Sequence, residues 1–274
     1  MAPLFGAGLF ALVGGGSVAA FDAVTFVVAA LVVGRIRIHE ERPAPRPKHL
    51  WADLAAGLGH VRRTPELRRL LLVGAVVIGI SGVVVPAQYS LVQAIGEPPS
   101  FLGALSAALG AGSIVASLLS GRLVRRIGEP WLAVVGVVDY ALGSSLRAVG
   151  NLPLAVTGSL VLGFALPWVF LAVLNVAQRS TPLHLQGRVS SAVTLCIFGP
   201  QAPLQALGSL AIRDTGYRML YVGGAAAAVA TGSWFAWVHL RRVSRRRAAA
   251  GAPGGGGPVA EEREAGPRRS RGTP

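Results

Sequence analysis

Residues 152–176 read LPLAVTGSLVLGFALPWVFLAVLNV, 25 positions without one charged side chain. A helix needs about 20 apolar residues to cross the hydrocarbon core of a bilayer, because each residue advances it only about 1.5 Å. The stretch reads as a membrane span, and it has neighbours of the same kind. Apolar blocks cover 70–95, 101–120, 131–149, 190–212 and 217–240, each stopped by charge, proline or glycine. Upstream, 17–34 is a further span that stops at Arg35 and Arg37, and 3–13 is about half a span long, like the end of a truncated helix. The expected fold class is an all-α membrane protein, a polytopic helical bundle with seven complete spans plus an N-terminal partial helix.

Composition agrees, since 52% of residues are hydrophobic and 14% are charged, against about 25% charged in an average soluble domain. The net charge of +14 raises the question of nucleic-acid binding, and the positions of the charges answer it. Of 26 basic residues, nine lie in 35–69, three in 122–126, two at Arg179 and Arg188, and nine in 241–271, which leaves only Arg147, Arg213 and Arg218. These clusters occupy alternate connections between apolar blocks, the positive-inside pattern of a multi-pass protein. They put Arg35, 122–126, 179–188 and 241–247 in the cytoplasm, and 96–100, Gly150 and 213–216 outside. A multi-pass protein of the cell inner membrane with a cytoplasmic C-terminus is expected, its partners a lipid bilayer and no nucleic acid.

Between the spans, 35–69 is a polar cytoplasmic linker that opens with the proline-rich 43–47, whose rings disfavour helix. Within it Trp51, Leu54, Leu58 and Val61 recur at helical spacing, which predicts a short amphipathic helix on the membrane face. Residues 243–274 carry the glycine run 254–257 with scattered Arg and Glu, a composition too polar to repay ordering, and predict a disordered basic tail. The arginines of 241–247 would attract anionic head groups, at about 1 kcal/mol each.

Chemistry of the catalytic kind has little to stand on. Cys196 is a lone cysteine, and His39, His49, His60, His184 and His239 are dispersed with no ligand partner one helical turn away. No phosphate-binding GxxxxGK[ST] loop occurs. No enzyme, cofactor or metal is expected.

Polar groups inside spans are the informative residues, because each costs several kcal/mol if left unpaired in lipid. Gln88 and Tyr89 follow Pro86, a residue that removes a backbone hydrogen bond and bends a helix, and Gln93 lies about one turn on. Trp168 and Asn175, seven apart, share a face just after Pro167. Gln201 and Gln205, four apart near Pro200 and Pro203, share another, where an amide serves either a substrate or a neighbouring helix. These seven are the candidate substrate contacts. Asp139, near the middle of its span, is the candidate for proton coupling, with an interhelical hydrogen bond as the structural alternative. Asp22 reads as a helix cap or as a partner for a neighbouring helix, and Ala108, Gly112, Ala116 and Ser120 form a small-residue packing stripe.

Four stretches carry a resemblance. Phe21, Asp22, Ala23, Thr25 and Phe26 with Arg35 form the first; Asp53, Leu54, Gly57, Leu58, 61–64, Leu67 and Leu70 the second. Gly121, Leu123, Arg126 and Gly128 form the third, with Arg125 where an acidic residue is usual; Gln178, Pro182, Gly187, Arg188, Val189 and Ser190 form the fourth. Together they resemble the drug and siderophore exporter branch of the major facilitator superfamily, the enterobactin-exporter or macrolide-efflux type. The resemblance implies that 1–34 is a remnant of helix five followed by helix six, and that 70–242 is the six-helix second half. It implies proton-coupled efflux of a small amphipathic molecule such as a drug or siderophore, in partnership with a missing N-terminal half or a second copy. A non-transporting membrane fragment, or an interaction subunit of a split transporter, is the alternative.

Overall fold

Glycine and proline set the ends of the helices. The computed structural model describes residue 20, residues 23–35 and residues 50–250, and no strand occurs among them. Readings that fall on 1–19, on Phe21 and Asp22, on the proline-rich 36–49 and on 251–274 lie outside the described residues. The helices are α1 (Ala23–Arg35), α2 (Leu50–Arg63), α3 (Pro65–Val84), α4 (Ala87–Ile95), α5 (Phe101–Ile127), α6 (Glu129–Val149), α7 (Leu152–Ser180), α8 (Gln186–Phe198) and α9 (Gln201–Ala250). Two compact units divide the chain, Met1–Trp237 and Val238–Pro274.

Two expected spans are interrupted, each at a proline. Helix α3 begins at Pro65, in the first turn where its missing N–H costs nothing, and ends before Pro86. There the amides of Gln88 and Tyr89 bond back only three residues, to Val85 and Pro86, both at 3.3 Å. The tightened turn bends 70–95 into α3 and α4. Gly199 and Pro200 likewise divide 190–212 into the end of α8 and the start of α9. Helix α9 is itself broken at Gly216, whose φ of 72° lies in the left-handed region.

Five helical stretches are long and apolar enough to cross a membrane: α3, α5, α6, α7 and Gln186–Arg242. The last has 57 residues, far beyond the about 20 of one crossing, while α1 falls short of a span. Seven complete spans therefore do not follow from the described helices.

Helix α7 is the centre of the bundle, packed between α5 and α6 and reaching α3 and α8. Small residues make this possible. Gly112 on α5 lies against the Leu160 carbonyl, and Gly163 on α7 lies against the Leu109 carbonyl, so the two backbones touch. Ser113 donates to the Gly163 carbonyl at 3.0 Å. On the other side, a Cβ at Gly143 would sit 2.8 Å from the Gly158 carbonyl oxygen, and one at Gly136 would sit 2.9 Å from that of Ala165. The stripe of α5 is buried at Gly112, Ala116 and Ser120. Large side chains then fill the spaces: Leu67, Leu132, Val137, Val169, Val173 and Ile197 belong to the main core. A second cluster of Val84, Leu91, Leu105, Ala155 and Tyr221 closes one end. Leu118, Val138, Leu142 and Leu210 point outward, an apolar exterior suited to lipid.

The opposite end is basic and polar. Arg179, closing α7, pairs with Glu66 of α3 and lies 3.6 Å from Glu129 of α6. Helix α2 docks on the protein. Val61 is buried, Gly57 lies against the Arg188 carbonyl, and Arg188 meets Asp53 at 2.9 Å. His60 Nε2 is 3.1 Å from the Ser180 carbonyl oxygen. Half-exposed pairs of this kind contribute about 0–1 kcal/mol each, so they fix register more than they stabilise.

Candidate functional site

Helix α4 carries three of the polar candidates to the end of the bundle opposite the basic one. Gly96, with φ 84°, ends the helix by a left-handed turn. The Gly96 amide bonds the Gln93 carbonyl at 3.1 Å, and the Glu97 amide bonds that of Val92 at 3.1 Å. This is a Schellman-type cap, which reverses the chain over the last helical turn. Pro98 and Pro99 then keep the helix from resuming before α5. The result is a cavity of about 380 Å³ lined by Tyr89, Ser90, Val92, Gln93, Glu97, Pro99 and Leu102. Tyr89 is 64% exposed there, and Gln93 stands four residues on, along the same face. Gln88 is half-buried on the adjoining face.

Gln201 lies where α9 meets α3. A Cβ at Gly82 would lie 2.8 Å from the Gln201 carbonyl oxygen, so α3 and α9 meet one turn before Pro86. The contact continues with Gly79 against Leu204 and Gly208 against the Val83 carbonyl. Gln205, one turn beyond Gln201, is exposed. Gln201 thus borders the α3–α9 crossing, whereas Tyr89 and Gln93 lie beyond Pro86 in the α4 cavity.

The α7 pair is arranged differently. Trp168 is buried, and its indole N–H donates to the Ala116 carbonyl on α5 at 2.9 Å, with Phe164 stacked edge-on at 5.5 Å. Its polar group is engaged in holding α5 to α7. Asn175 is half-buried two turns further along α7. Pro167 is accommodated inside an unbroken α7.

Asp139 is half-buried on α6, and among the described residues no hydrogen bond or ion pair engages its carboxylate. The loop residues sort by position. Gly128, with φ 80°, makes the sharp passage from α5 to α6, Gly121 and Arg126 are exposed, and Leu123 packs against the core. Gly187 has open space around it, whereas Arg188 holds Asp53.

One centre carries no sequence pattern of its own. Arg147, on the last turn of α6, is only 5% exposed. Its Nε and Nη2 donate to Ser159 Oγ at 3.0 and 2.6 Å, and Nη1 reaches Tyr221 Oη at 3.5 Å. The guanidinium carbon lies 5.9 Å from the Tyr221 ring centroid, within cation–π range. No carboxylate pairs with it among the described residues. Ser159, twelve positions on, and Tyr221, seventy-four on, have no local spacing that betrays the cluster; the available signal was an arginine inside an apolar span.

The profile of one family, the Major Facilitator Superfamily, matches residues 1–202. No curated protein and no solved structure matches the chain.

Proposed function

The chain belongs to the major facilitator superfamily, and from that premise we propose that it is a secondary active transporter that moves a small amphipathic molecule out of the cell in exchange for protons. The reading rests most on one observation. Polar side chains of α4 and α9, Tyr89, Gln93 and Gln205, stand exposed among outward-facing apolar side chains such as Leu207 and Leu210. Such groups belong where they line a wet path rather than lipid. A complementary bundle, from a first half or a second copy, supplies the facing wall, and rocking of one against the other gives alternating access.

In this reading the basic end, with Arg126, Arg179 and Arg188, is cytoplasmic in the inner membrane. The 57 residues of Gln186–Arg242 make two crossings that meet at Gly216, and the C-terminus is cytoplasmic. Gln88, Tyr89, Gln93, Asn175, Gln201 and Gln205 contact substrate, while Trp168 supports the wall from behind. Asp139, half-buried and without a partner among the described residues, carries the proton.

Cells expressing the protein, loaded with labelled drugs or siderophores, test this. Efflux at least threefold above a vector control, abolished by a protonophore and reduced at least tenfold in Asp139→Asn, is expected. Equal retention across a broad panel would refute transport, and full activity of Asp139→Asn would remove proton coupling from that residue.

A further inference from the structure

The cavity at the end of α4 has a charge character that the transport reading does not specify. Among the described residues its rim holds one carboxylate, Glu97, and no basic side chain. Glu97 has no ion pair among the described residues, although the protein carries 26 basic residues against 12 acidic. Arg147, Arg213 and Arg218 are the described cations toward this end, and none of them forms an ion pair with Glu97. The Gly96 cap turns Glu97 back over the final turn of α4. That turn also carries Gln93, with the Tyr89 ring one turn before it. Val92, Pro99 and Leu102 supply an apolar floor, and Ser90 and Gln93 supply hydrogen-bonding groups.

A carboxylate, an exposed aromatic face and an apolar floor recognise one ligand chemistry. The carboxylate attracts a cation, the electron-rich ring face attracts the same cation, and the floor takes an uncharged hydrocarbon body. A volume of about 380 Å³ is near the lower end of the range for small-molecule sites. An anion would meet the repulsion of Glu97, and a small hydrated metal ion would leave the apolar wall uncovered. We propose that this cavity is a binding site for a monovalent organic cation with an aromatic or branched apolar body, held by Glu97 and Tyr89. Its placement on the outer side rests on the transport reading; binding itself does not.

Calorimetric titration of the purified full chain in nanodiscs, where both faces are open, separates the two. The probes are phenyltrimethylammonium and benzenesulfonate, which share a ring and differ in the sign of the charge. Phenyltrimethylammonium is expected to bind and benzenesulfonate not to. Glu97→Gln should weaken the cation at least tenfold, and Tyr89→Ala about threefold to fivefold, the equivalent of about 0.5–1 kcal/mol for an exposed cation–π contact. Glu97 lies on a turn and Tyr89 is exposed on α4, and unchanged helicity by circular dichroism shows that the fold persists. Equal binding of both probes, no cation binding, or an unaltered affinity in Glu97→Gln overturns the site. Efflux in cells reads transport of other molecules, so failure of the cation site leaves the transport reading standing.

Discussion

Gly163→Leu is expected to abolish the folded, monodisperse protein in mild detergent, and with it any activity. A Cβ at this position already meets the Leu109 carbonyl, with the Gly112 Cα and the Ser113 amide nitrogen both at 2.9 Å. All of these are backbone atoms, so no rotamer change relieves the clash, and α5 must move away from α7. That movement also breaks the Ser113 bond to the Gly163 carbonyl and the Trp168 bond to the Ala116 carbonyl. Overpacking a side chain that can adapt costs about 1–3 kcal/mol; here the backbone itself blocks adaptation, and a cost at or above the top of that range is expected. Gly163→Ala should already lower the melting temperature, and Gly112→Leu should copy the larger defect from the opposite helix. Gly110→Ala and Gly187→Ala, where a Cβ has open space, should stay within about 0.5 kcal/mol of the parent. Size-exclusion profiles and thermal melts of these variants check the contact. A stable Gly163→Leu protein would mean that α5 and α7 do not touch as described.

The second large effect concerns Arg147, and its direction depends on the replacement. Removing the guanidinium and its stem in Arg147→Ala leaves a cavity beside Ser159 and Tyr221, with an expected loss of about 3 kcal/mol. The hydrogen bonds explain little of this, since interhelical bonds in membrane proteins average about 0.6 kcal/mol. Arg147→Met fills the volume without the charge. Because burying an ion costs several kcal/mol that partners only partly return, the apolar replacement should be neutral or stabilising in a thermal melt. A buried cation kept at such cost points to use rather than architecture. Arg147→Met should therefore melt at or above the parent temperature and yet lose at least tenfold in efflux. Full efflux by a stable Arg147→Met protein would assign the arginine to packing alone.

The helices were legible where a local rule governs them. Residues 152–176 announce a span by length and lack of charge, and α7 occupies them. The stripe of Ala108, Gly112, Ala116 and Ser120 declares a packing face by its four-residue period; Ala108 is half-buried and the other three are buried. Pro86 was readable as a bend, yet whether it bends or divides a helix depends on the turn around it, which tightens into two separate rods. Gly216 breaks α9 with a left-handed, non-helical backbone at the edge of 213–216, where a connection between two apolar blocks was expected. Pairings across the chain were less visible. Asp53 and Arg188 belong to two separate motifs, and only folding shows that they form one ion pair. The Arg147 cluster left no periodic trace, since its members come from α6, α7 and α9. Trp168 and Asn175 share a helical face by spacing, but the carbonyl of Ala116, a residue of another helix, claims the indole.

Which end of the bundle faces out decides both the crossing order and the side on which the cavity opens, and cysteine accessibility measures it directly. In a Cys196→Ser background, single substitutions Pro98→Cys, Asn151→Cys and Asp214→Cys mark the end with the cavity, and Arg122→Cys and Leu183→Cys mark the basic end. An impermeant maleimide applied to intact cells should label positions 98, 151 and 214, and should reach 122 and 183 only after permeabilisation. Labelling of 151 and 183 from the same side, or of 122 in intact cells, would contradict both the crossing order and the outward-facing cavity.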